Sequence, residues 1–379
     1  FPNLKLKTLN NTEVDGDLTF KNLLSKNADD FKLVADFNKL KSTYTDLKNM
    51  LPGLLGRSLP STFRNIGVFT ATGNAVVTSQ YIDTDVAVES AIGAIKAKIL
   101  LSDIENIDNA KYKGETQFTK FDFGKLLQED SIGYATFQAD VDGQGFTLEN
   151  LNTLVKGNIS AIEINNYTYH NVSVLGEIQQ KIFNGNLVSK DENLQLTFDG
   201  LIDMSSKIDV YDFKTSIAFA DFNKINLVKR DAISIFKGDI EMKMKGSSIN
   251  DAFGEILFKN THYNNQNDKF YFKDFKLSSS FNEQDIRTIT INSPDVITGK
   301  IVGKFKFEEL LSLAENDLGS IYTNYSPIKV ADGQFFDFNI KIENKLTQIF
   351  YSDIVIDKQA TFKGRVSSNE EEFKLNFKS

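Results

Sequence analysis

The chain contains no cysteine and no tryptophan, and only five prolines and two histidines in 379 residues. Without cysteine there can be no disulfide staples, no thiol nucleophile and no thiolate metal ligand, so the core must rest on apolar burial. His170 and His262 lie far apart without clustered partners, which removes the usual histidine metal sites and proton shuttles. No run of about 18 apolar residues occurs, so nothing here crosses a membrane as a helix, and no signal peptide is visible. The chain starts at Phe1 rather than Met, which predicts a piece of a longer protein with any anchor or export signal lying upstream. The net charge of −8, with both signs mixed along the chain, argues against nucleic acid, which needs a basic face.

What is present is a globular composition, 41% hydrophobic and 25% charged, with phenylalanine abundant at 32 residues. Length alone suggests two or three domains, yet no long linker divides the chain. The dominant pattern is alternation with period two, the mark of strands with one buried face. Within 171–203, Val172, Val174, Gly176 and Ile178 share a face, as do Phe183, Gly185 and Leu187, and then Leu194, Leu196, Phe198, Gly200 and Ile202. Turns are expected at Gln179–Lys181 and Lys190–Asn193; a rival reading makes Asn184–Gly185 a hairpin turn. Further strands are expected at 31–37, 66–78, 112–123, 133–142, 208–222, 233–245, 268–280, 287–292, 296–307, 333–343, 349–356 and 360–366. Helical spacing is rare: Leu40, Tyr44, Leu47 and Leu51 before Pro52–Gly53, and Leu310, Leu311 and Ala314.

Ten of the 23 glycines sit in the frame apolar–x–Gly–polar–apolar: Gly16, Gly73, Gly157, Gly176, Gly185, Gly238, Gly299, Gly303, Gly333 and Gly364. Glycine inside a strand marks a bend, a bulge or a close approach. Repeated across neighbouring strands it would curl a sheet about its apolar face and leave volume along it. An ordinary sandwich or barrel with glycine corners is the alternative. The segments KLVADFNKL (32–40), QFTKFDFGKLL (117–127), SIAFADFNKINL (216–227) and IVGKFKFEELL (301–311) form a weak repeat aligned on Phe37, Phe123, Phe222 and Phe307. The chain thus reads as one continuous all-β body, with repeats near 31–122, 117–221, 216–306 and 301–379. The expected fold is an elongated, curled antiparallel sheet forming an open groove, with a few short helices. At roughly 12–15 residues per strand and turn it would hold about 20–25 strands and run on the order of 100 Å.

Catalytic and metal motifs are weak. QADVDGQGFTLE (138–149) imitates a calcium loop through Asp140, Asp142, Gly143 and Glu149, but Gln138 stands where a carboxylate belongs. GVFTATG (67–73) lacks the lysine of a phosphate loop, and no nucleophile elbow or zinc-protease motif occurs. Asp83, Asp85 and Glu89 read as a solvated strand face, and Glu370–Glu372 as an exposed turn. Asp130–Ser131–Ile132 matches a short O-glycosylation signal that three residues can meet by chance. The chain is therefore read as neither an enzyme nor a cofactor binder.

The run NYTYHNVSVLGEIQQKIFNGNLVSKDENLQLTFDGLIDMS (166–205) resembles the TamB family of translocation and assembly module proteins, within the AsmA-like superfamily, in its Bacteroidetes form. The segments 21–60, 141–159 and 287–305 resemble the same group. The resemblance implies a repeating β-groove, or β-taco, in the periplasm, carrying phospholipid between inner and outer membranes. It also implies an inner-membrane anchor and a TamA-like Omp85 outer-membrane barrel as partner, both reached through segments outside this chain. Assistance to outer-membrane protein insertion is the alternative role. The residues expected to line the groove are Val172, Val174, Ile178, Phe183, Leu187, Leu194, Leu196, Phe198 and Ile202, with phospholipid acyl chains as their partners. A carbohydrate-active β-solenoid ranks below both, because the glycine spacings are irregular and no carboxylates cluster.

Overall fold

A computed structural model describes residues 1–8, 10–22, 31–50, 61–104, 109–146, 150–319, 324–350, 355, 360–368 and 374–378. It is all-β. Among the described residues, 22 strands belong to an antiparallel sheet that does not close into a barrel, accompanied by a few short helices. The chain separates into two compact units, Phe1–Gln195 and Leu196–Ser379.

In the first unit the strands are β1 (Leu4–Lys7), β2 (Glu13–Lys21), β3 (Lys32–Thr43), β4 (Val68–Thr78), β5 (Tyr81–Ser90), β6 (Gly93–Ser102), β7 (Lys111–Asp122), β8 (Ile132–Gln144), β9 (Asn152–Ile164), β10 (Tyr167–Gln179) and β11 (Ile182–Lys190). Each pairs antiparallel with the next, so the unit is a meander. Short connections force this order, and the register keeps one set of alternating residues on one face.

Read across the ladders, that face consists of rows. Two middle rows run Val86–Ala97–Thr116–Ala139–Gly157–Val174–Leu187 and Ile99–Gly114–Val141–Val155–Gly176–Gly185. Bulkier rows flank them, Ile95–Phe118–Phe137–Ile159–Val172 on one side and Leu33–Val77–Ile82–Leu101–Tyr112 on the other. Small residues thus collect where each strand must bend. At Gly73, whose φ of 120° suits only glycine, an added Cβ would strike the Asp85 carbonyl of the next strand; at Gly114 it would strike that of Lys98. Neighbouring backbones lie where side chains would otherwise stand, so the sheet curls toward its apolar face. The opposite face is charged and exposed, as in the row Asp85–Lys98–Glu115–Asp140–Lys156.

Two packed clusters sit at the two ends of these strands. One joins Leu33, Val77 and Ile82 to the loop residues Ile104 and Ala110. The other joins Ile66, Ile92 and Phe121, with Phe118 and Leu126 against them. The second is built by the 3-10 turn Ser61–Ile66 and the helix Phe123–Leu127, which starts where the Lys125 backbone N–H donates to the Asp122 carboxylate at 2.9 Å.

The second unit holds most of β12 (Leu194–Asp203), then β13 (Asp209–Asp221), β14 (Ile235–Gly246), β15 (Phe253–Asn264), β16 (Lys269–Phe272), β17 (Phe275–Phe281), β18 (Arg287–Ser293), β19 (Ile297–Lys304), β20 (Phe335–Ile342), β21 (Ala360–Ser367) and β22 (Lys374–Lys378). Consecutive pairing recurs from β13 onward, except that β15 pairs with both β16 and β17. One apolar row reads Phe213–Met242–Ile256–Leu277–Ile291–Gly299–Ile340–Phe362. The helix Leu310–Gly319 lies over the face at one end, where Leu313 packs with Ile289, Phe336 and Val366.

Several expectations change. Asn184–Gly185 is not a turn: Gly185 stands inside β11 opposite Gly176, and the turn is at Gln180, whose φ is 53°. The 268–280 run breaks at Lys273–Asp274, where the Lys273 N–H donates to Asp295 rather than to a ladder. Gly333 lies in a turn with φ 76°, not in a strand. The start of the expected 349–356 strand is instead the end of the helix Asn344–Phe350; 351–354 and 356 lie outside the described residues. In the repeat, Phe123 and Phe222 follow equivalent aspartates, Asp122 and Asp221, and equivalent register shifts, whereas Phe37 stands mid-strand and its helix begins only at Tyr44.

Gly114→Val is expected to destabilise the chain by about 1–3 kcal/mol through this overpacking. The neighbouring Glu115→Val, on the exposed face, should shift stability by less than about 0.5 kcal/mol. Urea unfolding of the two variants checks the contrast.

Candidate functional site

The alternation in 171–203 survives in three dimensions. Val174 stands opposite Leu187, and Ile178 opposite Phe183, on the face that also carries Val172. Val172 is buried; Val174, Ile178, Phe183 and Leu187 are half-buried, while Leu175, Glu177, Asn184 and Asn186 on the other face are exposed. Leu194, in the first unit, is half-buried, and its carbonyl accepts from the Ser189 hydroxyl at 2.6 Å. In the second unit Leu196, Phe198 and Ile202 are half-buried between exposed Thr197 and Asp199, and the Phe198 ring lies 5.0 Å from that of Phe213.

Half-burial along much of an apolar face is informative. A face covered by a second sheet would be fully buried, as in a sandwich. Here the sheet shields its face by curvature, and among the described residues the terminal clusters and short helices lie over its ends. Middle-row residues such as Val86, Ile99, Thr116 and Val155 stay half-buried. The surface is apolar, continuous within each unit, and poor in charge.

One polar exception lies inside the second unit. Arg287 occupies the apolar row Phe281–Arg287–Gly303–Phe336–Val366 and is 4% exposed. Its Nε donates to Ser279 Oγ, its Nη1 to the Ile249 carbonyl and its Nη2 to the Ala252 carbonyl, each at 2.9 Å. The guanidinium carbon lies 5.4 Å from the Phe281 ring centre and 6.0 Å from those of Phe305 and Phe307. Burial lowers its pKa from the usual arginine value. A pocket of about 220 Å³ opens beside it, lined also by Asn250, Asp251, Asp285 and Lys304. Asp251 is held below the usual carboxylate range, first by the Ser247 hydroxyl. The periodicity contains the signal for Arg287, since Arg287, Ile289 and Ile291 alternate in phase, and a charge in an apolar phase marks a special environment.

Asp140 and Asp142 lie on the exposed face of β8, where Asp142 pairs with Lys113 at 2.8 Å; Glu149 is outside the described residues. Among the described residues no group of three metal-ligating side chains converges. His170 is exposed, and its backbone N–H donates to the buried Asp191 at 2.8 Å. That carboxylate also accepts from the Tyr167 hydroxyl at 2.7 Å and the Asn193 N–H at 2.8 Å, so it braces the turn between β11 and β12. Burial, and then Asp191, push the Tyr167 hydroxyl up to about 12. No helix among the described residues is long and apolar enough to cross a membrane. No family model, curated protein or solved structure matches this chain.

The native chain lacks cysteine, so single cysteines report cleanly on each face. Cysteines at Val174 and Leu187 should react several-fold more slowly with a charged maleimide than cysteines at Leu175 and Asn186. Equal rates on the two faces would contradict the half-buried surface.

Proposed function

We propose that the apolar face of each unit is a groove for phospholipid acyl chains, and that the chain is part of a periplasmic bridge-like lipid transfer protein of the TamB type. The observation that carries this reading is the half-buried face itself, with rows of small residues between rows of bulky ones. An acyl chain laid on such a face removes both surfaces from water, worth about 0.8 kcal/mol per methylene. Equivalent side chains recur at each strand, every 4.8 Å or so, so a bound chain meets no single deep well. The charged outer face keeps the protein in water. The resemblance of 166–205 to the TamB family supplies the proposed periplasmic location, the inner-membrane anchor and the TamA-like Omp85 barrel; the geometry supplies only the groove.

Assembly of outer-membrane proteins is the second reading. It draws on the antiparallel sheet that does not close into a barrel, since open sheet edges can pair with a client strand. The two readings separate by where ligands sit. Photo-crosslinkers at Val174, Leu196 and Phe198 should capture phospholipid, and those at Leu175, Thr197 and Asp199 should not. Capture of unfolded client protein along a sheet edge, with no lipid at the three inner positions, would favour the second reading and sink the first. Phe198→Asp should block lipid passage at a folding cost of about 1–3 kcal/mol, whereas Asp199→Ala should leave both passage and stability near wild type.

A further inference from the structure

We propose that the pocket beside Arg287 seats the headgroup of a zwitterionic phospholipid whose chains lie against the exposed apolar side chains at its rim; this rests on the lipid reading above and adds to it a point of headgroup recognition. The charge arrangement comes first. Every acceptor of the Arg287 guanidinium is neutral, one hydroxyl and backbone carbonyls, and among the described residues no carboxylate lies within ion-pair distance. Asp251, which lines the same pocket, acts on it only through space, and a guanidinium taken this far from water with no carboxylate in contact favours an anion beside it. Its planar fork suits phosphate oxygens in particular. Nη2 carries a second N–H, and among the described residues nothing accepts from it.

The lining then distinguishes a zwitterion from a simple anion. Lys304 adds a second cation, while Asp285 and Asp251 line the same pocket. Asp251 is engaged by the Ser247 and Ser248 hydroxyls at 2.6 and 3.0 Å. Asp285 is left to receive an ammonium group, since among the described residues its carboxylate makes no ion pair. The rim is apolar and open: Ile249 is 54% exposed, Phe307 41% and Phe281 37%. Free phosphate would gain nothing from such a rim. An amphiphile gains its chain contacts there, on Ile249, Phe281 and Phe307.

The test uses the intact chain carrying a photo-reactive phenylalanine at Phe281 or, separately, at Leu196. Matched-chain phosphatidylethanolamine, phosphatidylglycerol and diacylglycerol are supplied singly in detergent micelles, and adducts are read by mass. At Phe281, capture of phosphatidylethanolamine should exceed that of diacylglycerol about tenfold, as expected of one charge-assisted hydrogen bond, with phosphatidylglycerol between them. At Leu196 the three lipids should be captured alike. Arg287→Lys should remove the phosphate preference at Phe281. Asp285→Asn, at an exposed position that holds no ion pair, should bring phosphatidylethanolamine down to phosphatidylglycerol, and it decides the matter if Arg287→Lys fails to fold. Equal capture of all three at Phe281 overturns the headgroup seat while capture at Leu196 upholds the groove. A preference at Phe281 with no lipid at Leu196 does the reverse. Millimolar inorganic phosphate that abolishes the preference would make this a site for the free ion and overturn the proposal.

Discussion

The structure depends on how closely neighbouring backbones approach at the glycine positions. A strand bends sharply toward one face only if nothing on that face resists, and a single Cβ is enough to resist. At Gly299 and Gly303, as at Gly114, the space a Cβ would take is already held by the carbonyl of the neighbouring strand, that of Asn339 and Phe335 respectively. These contacts are steric and leave little room for compromise. Because such glycines recur from strand to strand, the bend becomes a property of each unit's sheet rather than of one strand.

Curvature of this kind changes the energetics of the apolar face. A flat sheet with one apolar face must find a second layer, because bare apolar surface costs about 25 cal/mol for each Å² left in water. A curled sheet recovers part of that cost by turning the face on itself, and the terminal clusters and short helices recover more at the ends of the strands. What remains is a half-buried surface: enough burial to fold, with enough left open to reward a further apolar molecule. The same balance explains the placement of the phenylalanines. In the first unit Phe118, Phe121, Phe123 and Phe137 gather with ring centres 4.7–5.5 Å apart at one end of the strands, and the middle rows hold no aromatic residue, being mostly alanine, glycine, valine and threonine with Ile99 and Leu187.

Much of this was legible in the residues. Period-two alternation is local, so the strands of 171–203, their faces and both turns followed from side-chain order alone. The glycine frame anticipated bending, since nine of its ten members fall inside strands. Legibility failed where long-range contacts decide. Gly333 fits the frame by its neighbours, but its φ of 76° is set by the turn entering β20. Asn184–Gly185 carries a strong hairpin signature, but the alternation that puts Gly185 inside a strand is the reading that the Gly176–Gly185 pairing bears out. The repeat misaligned Phe37 because the aspartate that caps a helix as Asp122 and braces a turn as Asp221 sits, as Asp36, within a continuing strand. Arg287 was missed because its partners, the Ile249 and Ala252 carbonyls, belong to a distant loop and are invisible in the local pattern.

Arg287 also bears on what kind of surface this is. If the apolar rows served only to build a core, a guanidinium among them would be a cost with no return, and a leucine at that position would pack the row Phe281–Gly303–Phe336 without breaking it. Its three aromatic neighbours and three close acceptors show that the site is built to hold the charge, since each donor is aimed and each ring faces the cation. Uniform rows let an apolar ligand move and cannot tell one headgroup from another. On the lipid reading proposed above, discrimination would need a fixed polar point beside the apolar path, and Arg287 is the buried charge that the second unit holds beside its exposed aromatic rim.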